Sequence, residues 1–359
     1  MLVTILLAPT NILASDTVIE SEENLAEKSA QAWLDAAAPL IPYLPQWKDA
    51  DVVLQRPYNG LNGERNSYLF AITARTGIVG WVMVGNSSYE YSMFEASEVM
   101  PPSEPTTDEI ISAIEKIGLH EVGKEIARPV DFVYTGIGGF YAIYDIGEQT
   151  IAINLIQKTA MPVTNLKNSL PSPEDCRKAK KELRESQLET RGSGYEALEL
   201  SYYQPGGEAC GPCAGVSIGQ YYREEQGYSD LYNNSDMFTV LYSYMQVLGG
   251  AVWPGTKFTN GFVAMTESCE YDDFNSSTTD QWVSSGDYWT AVDYINNGWP
   301  TALCIVIPDK HWRAIRGYGY ITEMDIYMVY CTDSAALSNS YIINWSNWCA
   351  NEALSKICD

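Results

Sequence analysis

The 359-residue sequence predicts an α+β protein with two domains. A single hydrophobic core seldom grows beyond about 250–300 residues, so a chain of this length favours more than one. In the second half, helical patterns come first and four strand-like runs follow, which predicts an antiparallel sheet rather than a doubly wound one. A polar segment that begins with prolines and ends with glycines, 166–192, predicts a linker with a short solvated helix between the domains.

The chain begins with an apolar run, residues 1–15, that ends in small residues. This run is too short to span a bilayer and is typical of a signal peptide, although the usual positive charges at its start are missing. We therefore expect a secreted or cell-surface protein. No later segment contains the roughly 18 consecutive apolar residues that a membrane helix needs, so no membrane span is expected.

The charge balance excludes one class of partner. The sequence has 46 acidic and 22 basic side chains and a net charge of −24, which repels nucleic acids and anionic membrane surfaces. We expect a peptide or protein as the partner instead, and no nucleic acid.

The first domain, residues 16–165, reads as a small α+β unit. Two β-rich runs within 67–85 flank Arg75-Thr76-Gly77 and predict a hairpin. Thr106 and Glu109 form a capping-box pattern that predicts the start of a helix, with a buried stripe of Ile110, Ile114 and Ile117 and a stop at Gly118. Strands are expected within 131–147 and 150–157.

The second domain, residues 193–359, predicts two helices before its sheet. The first, 210–226, starts with Cys-Gly-Pro, because proline is tolerated in a first turn. Gly215 and Gly219 weaken a helix interior, so we expect another element to pack closely against them. The second helix, 287–298, buries Trp289, Val292 and Ile295. The four strands are expected at 301–307, 311–320, 326–333 and 340–345.

The stretch CGPC at 210–213 fits several chemistries, which its context separates. A thioredoxin-like dithiol of Cys210 and Cys213 needs a preceding buried strand and βαβ units, whereas a glycine-rich loop precedes it here. The overlapping G-x-S-x-G pattern puts Ser217 inside a predicted helix, where its hydroxyl is expected to bond back to a carbonyl. A zinc site lacks a second spaced pair of ligands. No metal or cofactor is therefore expected.

A cysteine nucleophile is the remaining interpretation. A thiol at a helix N-terminus beside an imidazolium has a lowered pKa. Such a thiol also needs an oriented base and a donor for the oxyanion. The sequence has only two histidines, and His120 has no neighbours that suggest a site. The other three candidates are His311 at the start of a strand, Asp333 at the end of the next strand, and Gln204 six residues before Cys210.

These residues carry a family resemblance. The stretch ALELSYYQPGGEACGPCAGVSIGQYY, 197–222, resembles the motif of the bacteriocin-processing peptidase-like branch of the papain-like cysteine peptidases, and the likeness extends over roughly 195–335. The resemblance implies a papain-like domain whose first helix carries the cysteine and whose antiparallel sheet carries the histidine. It also implies that Cys210 is the nucleophile and that Gln204 donates to the oxyanion. His311 would be the general base, and Asp333 would orient it.

Two assignments stay open within this resemblance. Cys213 stands where the branch commonly has a small polar residue, although the six-residue interval from Gln204 favours Cys210 as nucleophile. The stretch INWSNW resembles the Asn-Trp found after the histidine in papain and streptopain, so Asn344 is an alternative to Asp333 as the third member.

The first domain has a fainter likeness of its own. Residues 67–97 are similar to the propeptide and inhibitor domains of streptopain-type peptidases. A domain of that kind would dock on the catalytic domain and cover its cleft, whereas the alternative is an unrelated accessory or binding domain.

The sequence thus predicts a secreted cysteine peptidase that forms an acyl-enzyme. The alternatives are an inactive papain-like binding protein, a thiol-disulfide oxidoreductase that uses Cys210 and Cys213, and acyl transfer to an acceptor other than water.

Overall fold

The described chain is a mixed α+β structure, as predicted. A computed structural model describes residues 20–119, 128–186, 194–204, 209–247, 256–271, 281–283, 288–305, 311–347 and 352–356. The predicted signal peptide and His120 lie outside these ranges. None of the helices within them is long and apolar enough to cross a membrane.

Seven α-helices and one large, mostly antiparallel sheet make up the described residues. The helices are α1 Glu22–Ala37, α2 Thr107–Lys116, α3 Pro173–Ser186, α4 Cys210–Glu225, α5 Asn234–Val247, α6 Thr256–Glu267 and α7 Tyr288–Asn296. The first eight strands are β1 Asp51–Asn59, β2 Arg65–Ala74, β3 Gly77–Gly85, β4 Met93–Ser97, β5 Asp131–Tyr134, β6 Phe140–Ile146, β7 Gln149–Asn154 and β8 Ala160–Pro162. The others are β9 Gly194–Ala197, β10 Gln281–Val283, β11 Thr301–Ile305, β12 His311–Ile321, β13 Ile326–Asp333, β14 Ser338–Asn344 and β15 Glu352–Lys356.

The sheet runs through both halves of the chain without a break. Its strand order is β10-β15-β11-β12-β13-β14-β4-β3-β2-β1-β5-β6-β7-β8. Strand β11 pairs with residues 311–315 of β12, and β9 pairs with residues 317–320 of the same strand. We call residues 20–186 the N-terminal unit and residues 194–356 the C-terminal unit. They meet where β4 pairs antiparallel with β14. The one parallel pairing among the described strands joins β1 to β5.

Local sequence signals in the N-terminal unit are confirmed, with one exception. Strands β2 and β3 form the predicted hairpin. Thr106 and Glu109 form a complete capping box at the start of α2. Ile110 and Ile114 are buried, but Ile117 is 37% exposed and was wrongly assigned to the buried stripe. It is the C-cap residue of α2 and so lies beyond the last residue of the helix, where the helical periodicity of the buried stripe ends.

Helices α3 and α7 also differ in detail from the prediction. The helix in the predicted linker is not wholly solvated, because Cys176, Ala179 and Leu183 are buried. Its last residue contacts the C-terminal unit, where the Trp289 indole donates to the Ser186 hydroxyl at 3.0 Å. Trp289 is only partly buried, whereas Val292 and Ile295, the other two residues of the predicted α7 stripe, lie in the core.

The two glycines in α4 meet a neighbouring helix, as predicted. A Cβ at Gly215 would lie 2.8 Å from the Leu241 side chain, and one at Gly219 would lie 2.3 Å from the Met237 sulfur. Both contacts come from α5. The close approach of α5 keeps α4 against β12 and so fixes the position of the residue that begins α4.

This packing predicts a specific double-mutant result. Gly219→Ala should destabilise the protein by about 1–3 kcal/mol through overpacking, in spite of the ~1 kcal/mol gain in helix propensity. In a Met237→Ala background the same substitution should be neutral or stabilising, because the colliding sulfur is gone. Urea unfolding of the four variants measures the coupling. An equal cost of Gly219→Ala in both backgrounds would contradict the packing explanation.

Candidate active site

Three chain segments bring the candidate residues together. Cys210 begins α4, His311 begins β12 and Asp333 ends β13. Ala314 of β12 pairs with Thr332 of β13, so Asp333 lies one residue further along, beside the start of β12. Helix α4 packs on the sheet near the same end of β12. The sulfur, the imidazole and the carboxylate therefore meet at one edge of the C-terminal unit.

The contact between His311 and Asp333 is direct and buried. His311 Nε2 lies 2.9 Å from Asp333 Oδ1, and the two residues are 7% and 1% exposed. The same carboxylate oxygen accepts backbone N–H bonds from Ala335 at 2.9 Å and Ala336 at 3.1 Å. Since Nε2 faces Asp333, Nδ1 is the ring nitrogen left for the thiol.

Arg313 is a member of this group that the sequence reasoning missed. It lies two residues after His311, on the same face of β12, and its Nε donates to Asp333 Oδ2 at 2.5 Å. Its side chain is 3% exposed. The signal was the stretch HWR, because alternate residues of a strand share a face and a buried cation needs a buried anion nearby.

The paired charges control the protonation of the group. Burial would raise the pKa of Asp333, but the charges of Arg313 and His311 hold it well below its usual range. Burial would lower the pKa of His311, but the Asp333 carboxylate raises it to about 9. The imidazole therefore carries a proton at neutral pH.

Cys210 is the thiol that responds to this imidazolium. It is half-buried, and its side chain is hydrogen-bonded to His311. Burial would raise the pKa of Cys210, but this bond and the charge of the ring outweigh burial and lower it. The N-cap of α4, Ala209, offers no side-chain acceptor to the N-terminal amides of the helix. The arrangement favours a thiolate at the positive end of a helix.

The other residues of the CGPC stretch have different surroundings. Cys213 is 1% exposed, and burial raises its pKa to about 12 despite a hydrogen bond to Ser334. Neither cysteine forms a disulfide bond. The Ser217 hydroxyl bonds back to the carbonyl of Cys213 at 3.2 Å, as predicted for a serine within a helix.

The structure places the two remaining candidates differently. Gln204 is exposed at the end of the described segment 194–204, and residues 205–208, which follow it, lie outside the described part. The Asn344 side chain does not face His311. Its amide donates to the carbonyl of Met93 at 2.8 Å, and its oxygen accepts from the backbone and hydroxyl of Ser346.

A small pocket adjoins the histidine on the side away from α4. It has four lining residues from each unit: Ile137, Gly138, Ile156 and Gln157 from the first, and His311, Arg313, Asp333 and Ala335 from the second. Within the described ranges, no group of three or more His, Cys, Asp or Glu side chains is arranged to hold a metal ion.

Comparison with protein-family models, curated proteins and solved structures found no significant match. The chemistry of the site is therefore interpreted from its own geometry.

The surroundings of Asn344 predict separate effects on stability and on the thiol. Asn344→Ala should lower the free energy of unfolding by about 1–3 kcal/mol, because it removes the hydrogen bonds of Asn344 to the buried carbonyl of Met93 and to Ser346. Iodoacetamide should nevertheless label Cys210 at the unchanged rate. Asp333→Asn, which removes a charge without changing the size of the side chain, should slow this labelling. If Asn344→Ala slows labelling as much as Asp333→Asn while the protein remains folded, Asn344 belongs to the site.

Proposed function

We propose that this protein is a cysteine peptidase that cleaves peptide bonds through Cys210, with a papain-like arrangement of its C-terminal unit. The observation that carries the proposal is the contact chain of Cys210, His311 and Asp333. It joins a thiol of lowered pKa at a helix N-terminus to a protonated imidazole and a buried carboxylate. A thiol, a base and a residue that orients the base are the parts that covalent acyl transfer needs.

The first half of the proposed reaction forms an acyl-enzyme. The Cys210 thiolate attacks the carbonyl carbon of the substrate, and the carbonyl oxygen becomes an oxyanion. His311 then donates its proton to the leaving nitrogen, so that the C–N bond breaks and a thioester remains. Asp333 holds the ring in position and stabilises its charge.

The second half returns the enzyme to its starting state. Neutral His311 takes a proton from a water molecule, whose oxygen attacks the thioester carbon. The C–S bond breaks, the product carboxylic acid leaves and gives the second proton of the water to solvent, and the thiolate and imidazolium are restored. Backbone amides at the N-terminus of α4, together with Gln204, are the proposed donors to the oxyanion in both halves.

The oxidoreductase alternative has less support. A dithiol that exchanges disulfides needs a second thiol that can ionise and react. Cys213 is buried in the first turn of α4, and its pKa is raised rather than lowered. Peptide hydrolysis fits these surroundings better. Secretion of the protein, as expected from residues 1–15, belongs to the same proposal.

Alkylation tests which thiol is reactive. With limiting iodoacetamide at pH 7, Cys210 should be labelled at least tenfold faster than Cys213, since only its thiolate is stabilised. The rate at Cys210 should fall in His311→Ala, and mass mapping of peptides identifies the labelled residue. Fast labelling of Cys213 together with reduction of insulin would indicate redox chemistry. Uniformly slow labelling of the folded protein would indicate an inactive domain.

The pKa values predict different pH profiles for hydrolysis and labelling. Hydrolysis needs both the thiolate and the imidazolium proton, so its rate should rise as Cys210 ionises and fall as pH increases through about 9, where His311 loses its proton. Alkylation needs only the thiolate and should not fall there. A peptide-library assay measures the first rate, and Cys210→Ala provides its control. A hydrolysis rate that still increases above pH 9 would rule out His311 as the proton donor.

A further inference from the structure

The N-terminal unit is joined to the C-terminal unit by the backbone of the sheet itself. Residues 95–97 of β4 pair in antiparallel register with residues 341–343 of β14. Loss of the N-terminal unit would turn β14 into an open edge in the middle of what is now a continuous sheet. An open edge that exposes the apolar stretch Tyr341-Ile342-Ile343 would be prone to aggregation.

Buried polar contacts reinforce this pairing. The hydroxyls of Ser97 and Ser338 lie 2.9 Å apart, and both residues are fully buried. Glu98 follows β4 directly, and its carboxylate accepts backbone N–H bonds from Asn339 at 2.8 Å and Ser340 at 3.1 Å. If the units separated, the Ser97 hydroxyl, the Glu98 carboxylate and the Asn339 amide would lose these bonds, while the Ser340 amide would keep only its bond to the Ser338 hydroxyl, 3.1 Å long. Such contacts are typical of the interior of a protein rather than of a reversible cover.

We call the pairing of β4 with β14 the joint between the units. The hydrophobic core is shared by both units on each face of the sheet at this joint. On one face, Trp81 packs edge-on against Tyr341 of β14, with ring centroids 5.7 Å apart, and Ile343 lies in the same cluster. On the other face, Val82 and Ala96 belong to one cluster with Met328, Tyr330 and Ile342. Neither unit therefore has a separate apolar core on this side.

The same joint reaches the candidate active site through Glu95. This carboxylate of β4 is fully buried and accepts hydroxyl hydrogen bonds from Tyr341 and, at 2.8 Å, from Tyr134. The ring of Tyr341 lies under the guanidinium of Arg313, 4.7 Å from its centroid to Cζ. Arg313 in turn holds Asp333. A continuous chain of contacts thus runs from the N-terminal unit to the residue that orients His311.

A loop of the N-terminal unit covers the buried arginine. The backbone amide of Gly138 donates to the Glu95 carboxylate, and a Cβ at position 138 would lie 3.4 Å from the Arg313 side chain. Gly138 also has a positive φ of 69°. The loop therefore approaches the Arg313–Asp333 pair closely and keeps it out of water, while the pocket beside His311 remains lined from both units.

We propose that residues 20–186 are a permanent part of the candidate active centre rather than a removable inhibitory domain, and that Glu95 is a positioning residue that acts on Asp333 through Tyr341 and Arg313. A mature form would retain both units even after cleavage of the segment between them. The proposal concerns the site described above and depends on the proposed function only for its kinetic measurements.

Cleavage of the connecting segment tests whether the units separate. A recognition sequence for a site-specific protease is inserted within 187–193, and the full chain is purified and then cut. The two fragments should co-elute at the mass of the intact protein and separate only in denaturant. They should also retain labelling of Cys210 within twofold of the uncut protein. The same insertion without protease, and the parent chain with protease, are the controls.

The outcomes distinguish this proposal from the proposed function. Fragments that separate in buffer, with a C-terminal fragment whose Cys210 still reacts rapidly, would overturn the permanent joint. If the fragments co-elute but Cys210 reacts slowly even in the uncut protein, the permanent association of the two units is supported. The same result would contradict the proposed peptidase activity.

Glu95 is tested through the pH profile. Above pH 7 its negative charge offsets that of Arg313, since burial raises the pKa of Glu95 to about 7 and the nearby hydroxyls of Tyr341 and Tyr134 lower it. In Glu95→Gln the charge of Arg313 is balanced by Asp333 alone, which should lower the pKa of His311, so the fall in hydrolysis near pH 9 should move to lower pH. Tyr341→Phe, which keeps the ring under Arg313, should shift it less. A lower stability with no shift in either folded variant would assign Glu95 a structural role only.

Discussion

The structure around the candidate site depends on the burial of one carboxylate, Asp333. A buried ion is costly unless it is paired and hydrogen-bonded. Asp333 meets that requirement with His311 and two backbone amides on one oxygen and Arg313 on the other. Arg313 is itself buried, and it is covered by Tyr341 and by the loop around Gly138. The residues that compensate or cover these buried charges therefore extend from His311 into the N-terminal unit.

The pairing of β12 with β13 supplies this arrangement and the core at once. Alternation along β12 points His311, Arg313 and Ile315 to one face, while Trp312 and Ala314 pack on the other face against the helices of the C-terminal unit. An irregularity between Ile315 and Gly317 then changes the alternation. Tyr318 and Tyr320 consequently join the same cluster as Ile315. The first residues of β12, His311 and Arg313, thus contribute to the candidate site, whereas Ile315, Tyr318 and Tyr320 contribute to the hydrophobic core.

The sequence could predict the features that have local causes. The capping box at Thr106, the hairpin of β2 and β3 and the helix that begins at Cys210 each depend on residues a few positions apart. The meeting of β4 with β14 depends on contacts about 240 residues apart, and no local signal specifies it. Arg313 and Glu95 were missed for the same reason. Their roles come from neighbours that only the complete sheet assembles. The buried face of α3 was missed because its partners, residues 87–89 of the N-terminal unit and 345–347 of the C-terminal unit, are distant in the sequence.

The CGPC stretch shows why the motif alone could not assign its chemistry. Cys210 and Cys213 are three residues apart on one helix, yet the pKa of the first is lowered and that of the second is raised. Both lie in the first turn of α4, so their position on the helix does not by itself explain shifts of opposite sign. Cys210 is half-buried at the start of α4 beside an imidazolium, whereas Cys213 is almost fully buried and has the hydroxyl of Ser334 as its neighbour. The imidazolium persists because Asp333 is ionised, and Asp333 is ionised because Arg313 is held against it. The chemical difference between two neighbouring thiols thus depends on contacts made by a distant half of the chain.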